Sequence, residues 1–317
     1  MSTNQLTLTA AKALEPNAGG LLRWRQAIGI ALVVLSTCGI GVVPTFAKIA
    51  FAGGSGTLTM IAARCILTAA TCLCILWALR RPLAMPRRVL AFCWGLGVVY
   101  AAHVYALLDA VNFLPVNTVI VVFYSHPLMI ALIAIFSGRE AVSIRHFWIF
   151  IAALAGLALA VGFTFGALNL TGLALALAAA VFAAIVILGS ARAMRAADAL
   201  TVTFHMMLGA SVVLAAITAI SGTTSLPLTG QGWLGFAGVA VAYTIGTVAF
   251  FAAVPLLGAV RAVMISNLEP VLGVLFAMAV LGEAVGILQG IGIALVIGSI
   301  FATEILRRSP DRRCTAE

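Results

Sequence analysis

The chain has 317 residues, 63% of them hydrophobic and only 9% charged, with a mean hydropathy of +1.19. A soluble domain usually carries roughly 25% charge, and a chain of this size still exposes about a quarter of the surface it exposes when unfolded. These values exclude an ordinary soluble enzyme and make lipid the solvent for most of the chain. The net charge of +9 would suggest nucleic acid only if the basic residues shared a soluble face, and they lie between apolar runs instead.

Residues 1–25 read as a polar cytoplasmic segment. The first apolar run is too long for a removable signal peptide, and no small-residue cleavage site and soluble domain follow it, so it is kept as a helix. Runs bounded by Arg, Pro, Gly or polar clusters predict helices near 26–47, 57–79, 89–109, 113–136, 146–165, 170–190, 201–221, 232–253, 256–281 and 284–304, with a cytoplasmic tail over 305–317. Each is about the 20 residues that one crossing needs. The runs are rich in Ala and Leu and lack the period-2 alternation of membrane strands. The expected fold is therefore an all-α integral membrane protein with ten transmembrane helices.

Cytoplasmic loops collect Lys and Arg. With the N-terminus inside, every one of the 18 basic residues except Lys48 and Arg64 falls on the inner side. A miscount of one helix would scramble that alternation, so both termini are expected in the cytoplasm, and the positive charge records topology. Five of the six cysteines (Cys38, Cys65, Cys72, Cys74 and Cys93) fall inside apolar runs, without metal-ligand spacing, and read as small buried hydrophobes; Cys314 lies in the tail. Gly39, Gly41, Gly53, Gly54, Gly95 and Gly97 read as close-approach or hinge positions, since no P-loop ending follows them. Trp24, Trp94, Trp148 and Trp233 lie near helix ends and read as interface anchors.

Residues 110–142 align without gaps on 253–285 at an offset of 143, which places Pro127 on Pro270 and Glu140 on Glu283. Pro and Glu are scarce here, so their coincidence carries weight. The fourth helix then corresponds to the ninth, and a five-helix repeat over 26–165 corresponds to one over 170–304. Five is odd, so the halves are expected to cross the bilayer in opposite senses. That is the inverted-repeat plan of secondary transporters, with substrate held near the midplane between the repeats.

The stretch Asn267-Leu-Glu-Pro-Val271, then Leu281-Gly-Glu283 and the run from Gln289 to Gly298, resembles the second EamA domain of the drug/metabolite transporter superfamily, and Pro127 through Glu140 resembles the corresponding part of the first. Arg64 and Lys48 sit where many members carry Arg and Lys. The resemblance implies a ten-helix, exporter-like carrier of small metabolites, among them amino acids and their derivatives or cationic drugs. One departure is Ser137-Gly-Arg-Glu140 in the first half, where the second half reads Leu-Gly-Glu.

Ionisable residues inside a bilayer are costly and mark function by default. Glu269 sits mid-helix directly before Pro270, which removes a backbone donor and opens the helix. Its carboxylate could exchange a proton during transport, or it could only brace a neighbouring helix. His126, aligned with Glu269, also precedes a proline, Pro127, and reads either as a titrating group or as an interhelical donor. Ser266 and Asn267 in the ninth helix, with Tyr124 and Ser125 in the fourth, add hydrogen-bonding groups at the same depth. Arg64 could hold a substrate carboxylate, snorkel to the interface or pair with Asp109. His103 and Tyr243 could line the path but read more readily as packing. Glu140 and Glu283 read as structural, each opening the following helix at the positive end of its dipole.

The expected function is a secondary transporter exporting or exchanging a small polar metabolite, such as an amino acid, across the inner or plasma membrane by alternating access, with proton coupling permitted. A passive facilitator or channel is the alternative. A membrane-embedded enzyme is disfavoured because the sequence has no H-E-x-x-H or G-x-S-x-G, and His103, His126, His146 and His205 are dispersed. No cofactor or metal is implied. The expected partners are a small-molecule substrate, protons and the lipid bilayer, with a homodimer allowed and no nucleic acid.

Overall fold

A computed structural model describes residues 16–137, 144–162, 169–281 and 286–308, and among these all regular structure is α-helical. Thirteen segments occur among the described residues: α1 (Pro16–Gly41), α2 (Val43–Ala52), α3 (Thr57–Ala78), α4 (Arg87–Ala110), α5 (Val116–Phe123), α6 (His126–Ser137), α7 (Ile144–Ala160), α8 (Leu170–Ala193), α9 (Ala199–Ser221), α10 (Gly230–Leu257), α11 (Ala259–Ser266), α12 (Glu269–Leu281) and α13 (Ile287–Arg308). Eight stretches are long and apolar enough to cross a membrane, and α7 and α13 contribute two shorter apolar helices, Phe147–Ala160 and Ile287–Ala302. The chain is an integral, multi-pass membrane protein. Glu140 and Glu283 lie outside the described residues.

The boundaries follow sequence chemistry. The Asn169 side chain accepts the Thr171 and Gly172 N–H groups at 2.9 and 3.2 Å to start α8, and Asp198 and Thr229 cap α9 and α10 in the same way. Gly222, with a left-handed φ of 62°, closes α9.

Three of the expected helices, 26–47, 113–136 and 256–281, are each two segments, interrupted at Val42, at 124–125 and at 267–268. A proline follows every interruption within three residues (Pro44, Pro127 and Pro270) and returns no N–H to the preceding turn. The first helix also begins earlier than expected, at Pro16.

The repeat extends far beyond the aligned stretch. The starts of α4 and α10, α5 and α11, α6 and α12, and α7 and α13 are each 143 residues apart, as are the ends of α5 and α11 and of α3 and α9. Packing repeats as well: α1 lies on α10 as α8 lies on α4, and the equivalent helices α3 and α9 pack together, as do α7 and α13. A Cβ built on Gly156 of α7 would lie 2.9 Å from the Gly292 carbonyl oxygen, and one on Gly292 would lie 2.3 Å from Ala160 N. The two helices therefore touch backbone to backbone and run antiparallel.

Small residues let other helices close in the same way. A Cβ on Gly97 would sit 2.6 Å from the Met206 carbonyl oxygen, and one on Gly53 would sit 2.3 Å from Gly232 Cα. Gly95 differs from its expected role, since nothing lies within 4 Å of its Cβ position and it faces outward. Cys74 is likewise exposed rather than buried. Arg261, counted among the inner-side basic residues, is in the first turn of α11 and only 9% exposed. Trp77, at the end of α3 and 83% exposed, joins the predicted interface tryptophans.

Two junctions tie the halves together at opposite ends of α3. At its N-terminal end Gly56 N donates to the Ser225 carbonyl (2.9 Å), Ser225 Oγ to the Gly54 carbonyl (2.7 Å) and Leu228 N to the Gly53 carbonyl (2.8 Å). At its C-terminal end Arg81 pairs with Asp198, and the His205 ring and Thr201 hydroxyl donate to the Leu83 and Pro82 carbonyls.

Candidate functional site

The polar residues of the interior converge where α3, α4 and α10 meet the breaks of α5/α6 and α11/α12. Arg64 of α3 places its guanidinium 4.1 Å from the centroid of the Tyr243 ring, with the Tyr100 hydroxyl and Cys65 thiol beside the same cation. The aromatic face offers the cation an attraction worth up to about 2 kcal/mol where water is excluded. Tyr100 and Tyr243 are hydrogen-bonded through their hydroxyls. Arg64 does not pair with Asp109, which accepts from Asn112 Nδ2 at 3.0 Å. Arg64 Nε is buried without a hydrogen-bond partner. Below Arg64, the Thr68 hydroxyl donates to the Arg64 carbonyl at 2.7 Å and so must accept from Thr244, 3.0 Å away.

A ladder of rings leads from this cation toward the breaks. The Tyr100 and His103 centroids are 5.7 Å apart, His103 and Phe123 5.2 Å, Phe123 and His126 4.7 Å, and His126 and Tyr124 5.7 Å. The last rung carries the Tyr124 hydroxyl to Glu269, whose carboxylate is acted on by Tyr124 and by the Arg64 charge. Tyr124 and Asn267, equivalent in the repeats, line a cavity of about 10 Å³ with Leu128, Phe150, Ala153, Leu154 and Leu157. That volume is about the minimum for one water.

His103 Nδ1 lies 3.0 Å from the Ala179 carbonyl, and His126 Nδ1 lies 3.0 Å from the Phe123 carbonyl. A carbonyl only accepts, so each Nδ1 carries the proton and, in the neutral ring, each Nε2 is left as an acceptor. Phe123 is four residues before Pro127, so His126 serves the carbonyl that the proline strands.

The structure thus brings Arg64, Tyr243, His103, His126, Tyr124, Glu269 and Asn267 into one connected set. Ser266 is turned away, its hydroxyl donating to the Ala262 carbonyl at 3.0 Å, and Ser125 Oγ is buried without a partner. The sequence reading missed Tyr100 and Phe123. Extending the 143-residue offset beyond 110–142 would have paired Tyr100 with Tyr243.

No curated protein matches the sequence. A solved protein crystal structure covers 90% of this chain and 99% of its own, with a TM-score of 0.75 at 20% identity, which shows a shared fold. The model of the EamA-like transporter family matches twice, over residues 27–162 and 170–304. With two copies filling nearly the whole chain and a helical architecture that repeats at the same interval, the chain belongs to the EamA-like transporter family.

Proposed function

We propose that this protein is a secondary carrier that exports or exchanges a small polar metabolite, an amino acid or a related compound, across the inner or plasma membrane by alternating access. In this reading the eight long stretches and the two shorter helices α7 and α13 make ten crossings, both termini are cytoplasmic, and the repeats lie inverted in the bilayer. The antiparallel packing of the equivalent helices α7 and α13 supports the inversion.

The observation that carries the proposal is the gathering of Arg64, His126 and Glu269 at two equivalent helix breaks in an otherwise apolar bundle. The α11/α12 break exposes a backbone carbonyl that a substrate can meet, and Arg64 and Glu269 supply opposite charges for a zwitterion. Both end junctions are formed, one at either end of α3. Closure at both ends favours a carrier over a continuously open channel. Glu269 is the residue assigned to exchange a proton during the cycle.

The test is counterflow. Purified protein in liposomes preloaded with unlabelled amino acids should accumulate the matching labelled compound. Absence of exchange for every pool, beside a working control carrier, overturns the proposal.

A further inference from the structure

The two helix breaks are equivalent in backbone and opposite in chemistry. At the first, Pro127 cannot return an N–H to the Phe123 carbonyl, and His126 Nδ1 takes its place at 3.0 Å. At the second, Pro270 withholds the same N–H from the Ser266 carbonyl, but the residue in the His126 position is Glu269, whose ionised side chain only accepts. Three neighbouring donors are committed elsewhere: Asn267 N bonds the Met264 carbonyl at 3.3 Å, Leu268 N the Ile265 carbonyl at 3.1 Å, and Ser266 Oγ the Ala262 carbonyl. The C-terminal end of α11 is the negative end of a helix dipole, and the acidic Glu269 follows its last residue by three positions. The α5/α6 break has its carbonyl satisfied by a ring N–H and presents no acid.

We infer that the α11/α12 break is a binding site for a primary ammonium group, formed by the Ser266 carbonyl and the Glu269 carboxylate, and that the equivalent α5/α6 break is not. The inference rests on the carrier reading and deepens it by naming the chemical group and the half of the molecule that receives it. An ammonium brings three donors and a positive charge, which meets one stranded carbonyl, one carboxylate and the Tyr124 hydroxyl that faces Glu269. The charged and titratable groups that act on the carboxylate are Tyr124 and Arg64. The helices packed on α12 are α1, which carries Cys38 and presents Gly41 to the Glu269 backbone, α2, which carries Lys48, and α7, which is apolar from Phe147 to Ala160. Arg64 is stacked on the Tyr243 ring, while Tyr124 is the hydroxyl that meets the acid.

The probe is propylammonium chloride, titrated onto purified protein in detergent and read as the rise in unfolding temperature, with sodium chloride and propanol as parallel arms. Propylammonium should stabilise the wild-type protein, and the other two should not. Glu269→Gln should weaken the apparent affinity about tenfold or more, as loss of a charge-assisted contact does. Pro270→Ala restores an N–H to the Ser266 carbonyl and should also weaken binding while the acid stays in place. Pro127→Ala, at the break whose carbonyl His126 already serves, should leave the affinity unchanged. Should Pro270→Ala fail to fold, the contrast between Glu269→Gln and Pro127→Ala decides alone. No stabilisation of the wild type, equal stabilisation by sodium, or equal losses at the two breaks would overturn the inference. Because the readout is binding, absent counterflow with an intact contrast between the breaks would strike the carrier reading and leave the site standing.

Discussion

Tyr100 and Tyr243, 143 residues apart and at the same position in the two repeats, share a hydrogen bond through their hydroxyls. A residue can touch its own repeat partner only on the axis that relates the repeats, so this pair marks that axis, with Arg64 stacked directly upon it. Exchanging the conformations of the two halves leaves such a contact in place. Off-axis contacts are moved: the Arg81–Asp198 pair maps onto Thr224 and Ser55, at the junction on the opposite end of α3. The tyrosine pair therefore lies where the two repeats meet, and the two junctions occupy equivalent places at opposite ends of α3.

Replacing either tyrosine by Phe should cost about 1 kcal/mol, the net worth of a buried hydrogen bond, plus a penalty for the hydroxyl left alone. The double Phe variant should be less destabilised than the sum of the singles, because no orphan remains. A double-mutant cycle on unfolding in detergent measures this coupling. Tyr243→Leu should cost more than Tyr243→Phe, since it also removes the ring beneath Arg64.

Gly97→Leu should destabilise the bundle by roughly 1–3 kcal/mol or prevent folding, because its side chain would enter the α9 backbone. Gly95→Leu, two residues away on the outward face, should fold and unfold as the parent does. Equal behaviour of the two variants would contradict the α4/α9 contact.

Arg81 and Asp198 are both partly solvent-exposed, and such pairs contribute about 0–1 kcal/mol to stability. Arg81→Gln should therefore fold normally. A shift of even that size changes the balance between conformers several-fold, so reactivity of a cysteine placed at Ala153 toward a reagent added on the Arg81 side should rise. Raising the ionic strength should act in the same direction on the wild type and have no effect on Arg81→Gln.

In liposomes, Glu269→Gln should remove the dependence of net flux on an imposed proton gradient while leaving exchange measurable. A response to the gradient equal to that of the wild type would exclude Glu269 as the proton-exchanging group.

Accessibility tags at residues 140 and 283 should report opposite sides of the membrane. Labelling from one common side would contradict the inverted arrangement.

Much of the fold was legible because apolar runs of about 20 residues have few alternatives in lipid. The helices near 57–79, 170–190 and 201–221 match α3, α8 and α9 to within three residues at either end. The prolines foretold that the fourth and ninth helices break, and each is two segments, whereas the break at Val42 before Pro44 in the first was not foreseen. The site was partly legible: Glu269 and His126 stood out as ionisable groups beside prolines, whereas Tyr100 looked like any aromatic residue in an apolar helix.

Sequence by itself determined the solvent, the helices and the duplication, because hydropathy, charge placement and the 143-residue spacing are carried by the chain order. Only the tertiary structure decided that Arg64 meets tyrosines instead of Asp109, that Ser266 turns back on its own helix, and that His126 serves a carbonyl which its counterpart Glu269 cannot serve. Spacing along a helix fixes the face on which a side chain stands. Which donor meets which acceptor depends on how closely neighbouring backbones approach, and that is set by glycine contacts between segments remote in the chain.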